Sequence, residues 1–177
     1  YWAPVTWHVV RETNGQGGVP LERLDQGILD LNIAYDPRGI RFYQMGDVDT
    51  IDNSEYYFDI DSYDEITDLR LVNPVEGTIN VYLVANLSTG DNTLCGISTF
   101  SWYESQGIVM ANDCFSTWDN HSTLAHEVGH YFDLVHTHSG SPQPDENGVI
   151  AGPSCEFADF SECAVRGDDF CDTSADP

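Results

Sequence analysis

The 177-residue chain contains no lysine, and arginine alone supplies its six basic side chains against thirty acidic ones, a formal net charge of −24. A field of that sign repels nucleic acid and anionic membrane surfaces, so neither is expected as a partner. It favours cationic substrates, divalent cations and solubility in salt, and a solvated acidic surface from a saline habitat accounts for it equally well. No apolar run approaches the roughly 20 residues that span a bilayer, and no signal peptide is recognisable. Because the chain opens on Tyr1 and not on Met, a targeting or pro-segment is expected to have been removed or left out. There is no CxxC pair, which leaves a zinc-ribbon arrangement of the cysteines without support. Repeats and low-complexity tracts are absent as well. What is present, 41% hydrophobic and 12% aromatic residues, argues against disorder. The length suits one domain, with or without a cleft, that can bury a real core.

Hydrophobic periodicity divides the chain into alternating elements. Residues 3–10, rich in Val and Trp, predict a β-strand, which makes His8 a strand residue and not a ligand. Pro20 opens a helix to about Asn32, with Leu21, Leu24, Ile28 and Leu31 at helical spacing. A short strand follows at 40–43. Residues 46–68, acidic and aromatic, predict a long surface excursion with a helical turn around 62–71. The run 78–85 alternates too little for a half-exposed strand and predicts a central one, buried on both faces. Strands at 97–103 and 108–111 are separated by a turn signal at 104–107. Ser122 or Thr123 is placed to cap a further helix whose apolar positions are Leu124, Val128 and Phe132. Beyond His138 the texture turns to Gly, Ser, Pro, Asp and Cys and predicts loops.

That further helix carries the chemistry. His126-Glu127-Val128-Gly129-His130 sets two imidazoles four residues apart, about 6 Å along the axis and on one face, so one metal ion can accept both. His136 follows. In a continued helix it would sit about 9 Å beyond His130 on the wrong side, so a third ligand there needs the helix to break first. Asp133 is a plausible site for the break, because Asp tolerates the left-handed region. The set His126, His130 and His136 points to a catalytic zinc site, with Glu127 beside the metal where a water would lie. His138 is the competing third ligand, and His121, just ahead of the helix, is uninformative.

At these residues the chain resembles the metzincin zinc peptidases, whose long motif is HExxHxxGxxH, and among them the pappalysin (cytophagalysin-like) family. Trp7-His8-Val9-Val10, Ile40-Arg41-Phe42-Tyr43, Cys95-Gly96-Ile97-Ser98 and Gly107-Ile108-Val109-Met110 look like that family's strands. Gly167-Asp168-Asp169-Phe170-Cys171-Asp172-Thr173 resembles its GDxVxDTP stretch, with Ser174 in place of the final proline. The family's motif glycine is Asp133 here, and its methionine-bearing turn has no counterpart, since Met45 and Met110 both precede the motif. The resemblance implies an α+β fold of three-layer α/β/α type. It comprises a twisted, mostly parallel five-stranded sheet with an antiparallel edge strand, a backing helix and an active-site helix. Residues 1–136 would form the N-terminal catalytic subdomain with the zinc helix. Residues 137–177 would start a loop-rich C-terminal subdomain, expected to be truncated before the methionine turn.

Activity follows from the same resemblance. It implies a secreted zinc endopeptidase in which Glu127 takes a proton from a water whose pKa the metal lowers to about 7 and passes it to the departing amine. The extended substrate would add to an edge strand, for which 96–103 is the candidate. A preference for a basic residue after the cleaved bond is implied too. Asp168 and Thr173 match the family's calcium-binding positions, and Asp169 and Asp172 are neighbouring oxygen donors of the kind that suits Ca2+; an ordinary acidic loop is the competing explanation. The sequons at Asn86 and Asn120 and the cysteine usage are compatible with secretion. Five cysteines leave one odd. Cys95 and Cys114 flank two strand-like runs and are placed to bridge them, while one of Cys155, Cys163 and Cys171 is expected to have lost its partner to truncation. Two other classes remain: a zinc hydrolase with a carboxylate third ligand such as Glu156 or Glu162, and an inactive secreted zinc- or calcium-binding module that kept the fold.

Overall fold

The computed structural model describes residues 1–136. The chain divides into two compact units, Tyr1–Asp133 and Leu134–Pro177. The first unit is built around β1 (Trp2–Arg11) and β4 (Ile79–Val84), two parallel strands of which β4 is buried throughout and β1 from Val5 to Val10. Their side chains alternate between two cores. Val5, Trp7, Val9, Val81 and Leu83 enter one, while Val10, Tyr82 and Val84 enter the other. A strand apolar toward both faces belongs in the middle of a parallel sheet, as the 78–85 run implied.

The remaining strands are β2 (Arg41–Gln44), β3 (Asp49–Asp52), β7 (Gly96–Ser98) and β8 (Ile108–Ala111), with a minor hairpin of β5 (Ser88–Thr89) and β6 (Asn92–Thr93) outside the sheet. The order is β2, β1, β4, β8, β7, and only β7 is antiparallel. Among the described residues the sheet has six strands instead of the five expected, because β3 pairs with His8–Arg11 of β1 after β2 has paired with Trp2–Val5. Two short strands in succession thus share one edge of a longer one. The chain is a mixed α/β structure with a mostly parallel sheet.

Helix α1 (Leu21–Tyr35) starts after Pro20 and runs three residues beyond its expected end, closing through a 3₁₀ turn (Asp36–Arg38) and the left-handed Gly39. Leu24 and Leu31 face the first core, but Leu21, expected on that face, is exposed. Gly27 lets α1 lie close on the sheet, for a Cβ there would stand 2.8 Å from Phe115 and 3.2 Å from Trp7. Asn32 accepts from the Phe42 N–H (2.8 Å) and donates to its carbonyl (3.0 Å), pinning α1 to β2.

Residues 46–68 are not the surface excursion that their acidity suggested. They supply β3, α2 (Ser54–Phe58) and the start of α3 (Tyr63–Arg70), which is the helical turn expected around 62–71, and their Ile51, Ile60 and Ile66 build the second core together with Leu69. Helices therefore cover both sheet faces. His8 is a core strand residue, as expected: it is fully buried, pairs with Asp49 and Asn80 at 2.9 Å each, and stacks on Tyr82. Cys95 and Cys114 form a disulfide that ties the start of β7 to the 3₁₀ turn (Asn112–Cys114) after β8. The positions of Cys155, Cys163 and Cys171 lie outside the described residues.

Candidate metal centre

The histidine helix is α4 (Thr123–Tyr131). Its N-terminus is not capped by the side chain of Ser122 or Thr123 as expected; Asn120 Oδ1 accepts from the Thr123 N–H (3.2 Å) and from its hydroxyl (2.9 Å). One helical face drives Leu124 and Val128 into the first core. Phe132, expected on that face, falls just past the helix and is 38% exposed, although its ring meets those of Tyr35 and Phe42. The Tyr35 hydroxyl donates to the Ala125 carbonyl at 2.8 Å, a second tie between α1 and α4.

With Leu124 and Val128 fixed, His126 and His130 emerge together on the opposite side. Their Nε2 atoms stand 3.1 Å apart and their rings are nearly perpendicular. Asp133 breaks the helix in the left-handed conformation with φ of +67°, the break that the spacing of His130 and His136 requires. One ligand nitrogen from each of His126, His130 and His136 lies within 4.8 Å of the others, an arrangement that could hold a metal ion. It is the one group of this kind among the described residues.

Glu127 sits between these histidines in sequence and points elsewhere on the helix. It is only 6% exposed, and burial pushes its carboxyl up to about 7. A carboxyl poised near neutrality can take up and return a proton at ordinary pH. Beside it runs β7, the sheet's antiparallel edge. The strand is shorter than the 97–103 and 96–103 segments anticipated. After Ser98 the chain leaves the ladder: Thr99 bonds across to Gly107, Tyr103 N–H turns back to the Phe100 carbonyl, and the Asp133 carboxylate accepts the Ser101 N–H at 2.7 Å. This loop stacks Phe100 on Trp102 and brings Phe100 to 5.7 Å from the His130 ring.

Two of these features are not legible in local sequence. The Asp133–Ser101 bond joins residues 32 apart, and the placement of Phe100 beside His130 depends on the loop that bond holds. His121, set aside earlier, pairs with the buried Asp30 at 3.1 Å, outside the histidine group. His138, Glu156, Glu162 and the calcium candidates Asp168, Asp169, Asp172 and Thr173 lie outside the described residues.

No protein-family model matches the chain. It is 30% identical over 192 residues to a protein of Colletotrichum graminicola named extracellular metalloprotease, an alignment that covers 98% of this chain and 66% of that protein. The chain thus spans just under two thirds of its relative's length. No described helix is long and apolar enough to cross a membrane.

Proposed function

We propose that this chain is the zinc-binding catalytic portion of a secreted metalloendopeptidase of metzincin type, with pappalysin-like character. The observation that carries the reading is the convergence of His126, His130 and His136 next to a buried Glu127. Similarity to a protein named extracellular metalloprotease supports it independently.

The donor set fits zinc. Three imidazole nitrogens without a carboxylate among them suit a borderline cation better than a hard one such as calcium or magnesium. Three protein ligands also leave room for a water, which is the pattern of catalytic and not structural zinc. When bound, the ion supplies Lewis acidity that activates water and polarises a peptide carbonyl.

The protein's own groups do the rest. Glu127, held by the packing of Leu124 and Val128 on either side of it in α4, accepts the proton of the attacking water and returns it to the departing amine. The outer edge of β7 receives the extended substrate by strand addition, which fixes the peptide through its backbone and tolerates varied side chains. The acidic surface favours basic segments of a substrate, in keeping with a preference for a basic residue after the scissile bond. Calcium at 168–173 remains part of the proposal on sequence resemblance alone.

The test is to measure bound zinc and peptide cleavage on this chain and on Glu127→Gln. Stoichiometric zinc in both, with cleavage only in the parent, supports the assignment. Cleavage that survives in Glu127→Gln removes Glu127 as the base. Failure of both proteins to take up zinc overturns the metal centre.

A further inference from the structure

We propose that Gly96 is a positioning residue for Glu127: by lacking a side chain it leaves the space in which the Glu127 carboxylate is held, so that the edge strand sets the place of the base. The inference rests on the peptidase reading above for its consequence, though not for its geometry. A Cβ built on Gly96 would stand 2.8 Å from Glu127 Cγ, 2.9 Å from Oε1 and 3.0 Å from Cδ. Real Cβ atoms essentially never come under 3.0 Å, so any side chain at this position would force a shift.

Gly96 is not there for backbone freedom. Gly15, Gly39, Gly46, Gly77 and Gly90 adopt positive φ and meet nothing within 4 Å, as turn glycines do. Gly96 has ordinary strand dihedrals, and glycine weakens a strand interior, so its presence marks a close approach.

The two backbones cannot separate to make room. Gly96 is paired with Met110 of β8, the preceding Cys95 carbonyl accepts the Ala111 N–H at 3.0 Å, and the Cys95–Cys114 disulfide anchors the strand's start. Opposite, α4 is locked by Leu124 and Val128 in the first core. What can move is the flexible end of Glu127. A Cβ at position 96 therefore displaces the Glu127 carboxylate from the place it holds against β7, while leaving His126 and His130 where they are. Misplacement of a reacting group by about 1 Å can cost roughly 100-fold in rate.

The experiment is a double-variant cycle of Gly96→Ala and Glu127→Ala, with thermal unfolding and zinc content measured on all four proteins, and kcat and KM for a peptide measured on the parent and Gly96→Ala. Expected are full zinc content throughout, and a Tm loss for Gly96→Ala in the parent that vanishes once Glu127 is Ala. Also expected are a kcat fall of at least about tenfold and a KM changed less than about threefold. The same Tm loss in both backgrounds overturns the contact. Parental kcat in Gly96→Ala, a rise in KM alone or loss of zinc each overturns the positioning role, the KM result by assigning Gly96 to substrate pairing. A parent that cleaves no peptide sinks the peptidase reading, and the melting cycle then decides the proposal by itself.

Discussion

The Asp133 carboxylate accepts the Ser101 backbone N–H at 2.7 Å, so the residue that terminates the histidine helix also holds the loop beyond the edge strand. Hydrogen bonding from Ser101, its side chain first and its backbone N–H second, keeps the Asp133 carboxyl below the ordinary carboxylate range. One residue therefore serves two functions, the left-handed turn through its backbone and the loop through its carboxylate oxygen.

Separate substitutions divide these functions. Asp133→Gly keeps the turn and loses the carboxylate: zinc affinity should stay within about threefold, while amide exchange near Ser101 accelerates. Asp133→Ala loses the carboxylate and also disfavours the left-handed backbone, so zinc should bind roughly tenfold more weakly. Zinc titration with hydrogen exchange measures both. Equal zinc affinity in the two variants would mean that the turn does not depend on the residue at 133.

How much of this was legible in the sequence depends on whether a feature is local. The i, i+4 histidines, the break before His136, the two-sided strand at 78–85 and the position of His8 all follow from spacing and periodicity, and the structure has them. The Cys95–Cys114 bond was readable because both cysteines flank the same pair of strands. The second core escaped because Ile51, Ile60, Ile66 and Leu69 are scattered among acidic residues, and acidity dominates the composition of 46–68. The Asn120 cap lies two residues before Ser122, the nearer of the two caps that the pattern offered. Contacts such as Gly96 with Glu127 join distant segments and leave no trace in local sequence.

Gly27 gives a stability test in which helix propensity and packing oppose each other. Replacing a mid-helix glycine by alanine normally gains up to about 1 kcal/mol. Here the added methyl meets Phe115 at 2.8 Å and Trp7 at 3.2 Å, and those rings already pack edge to face with centroids 5.4 Å apart. Overpacking costs roughly 1–3 kcal/mol, so Gly27→Ala should be net destabilising. Chemical denaturation at constant slope decides it, and a raised midpoint would show that α1 can lift off the sheet cheaply.

The Cys95–Cys114 bridge closes a loop with a sequence separation of 19. Loop-entropy arguments give a bridge of about this size roughly 3 kcal/mol. At about 2–4 °C per kcal/mol for a chain of this length, replacing both cysteines by serine should lower Tm by roughly 6–12 °C. Because the bond anchors β7, the amides of Gly96–Ser98 should lose exchange protection before those of β4, which is buried throughout. Uniform loss across the sheet would instead mean that the edge strand is held by its ladder with β8.

The capping box of α3 makes a prediction in pH. Ser62 Oγ accepts the Glu65 N–H at 3.4 Å, and Glu65 Oε2 in return accepts the Ser62 hydroxyl at 2.9 Å and the Asp61 N–H at 3.0 Å. These donors favour the ionised carboxylate and hold the Glu65 carboxyl below its ordinary value of 4.5. A lowered folded-state pKa contributes stability that is complete above the unfolded value and disappears as pH falls through the folded one. The Tm difference between the parent and Glu65→Gln should therefore be constant from pH 7 to about 5 and shrink below about 4.5. Ser62→Ala removes the helix's acceptor and should cost about 1 kcal/mol at neutral pH. Ile66 and Leu69, both fully buried, carry any loosening of α3 into the second core, so it should register in global unfolding and not only as fraying. A Tm difference for Glu65→Gln that persists unchanged to pH 3 would show that the glutamate stabilises α3 by packing and not by its charge.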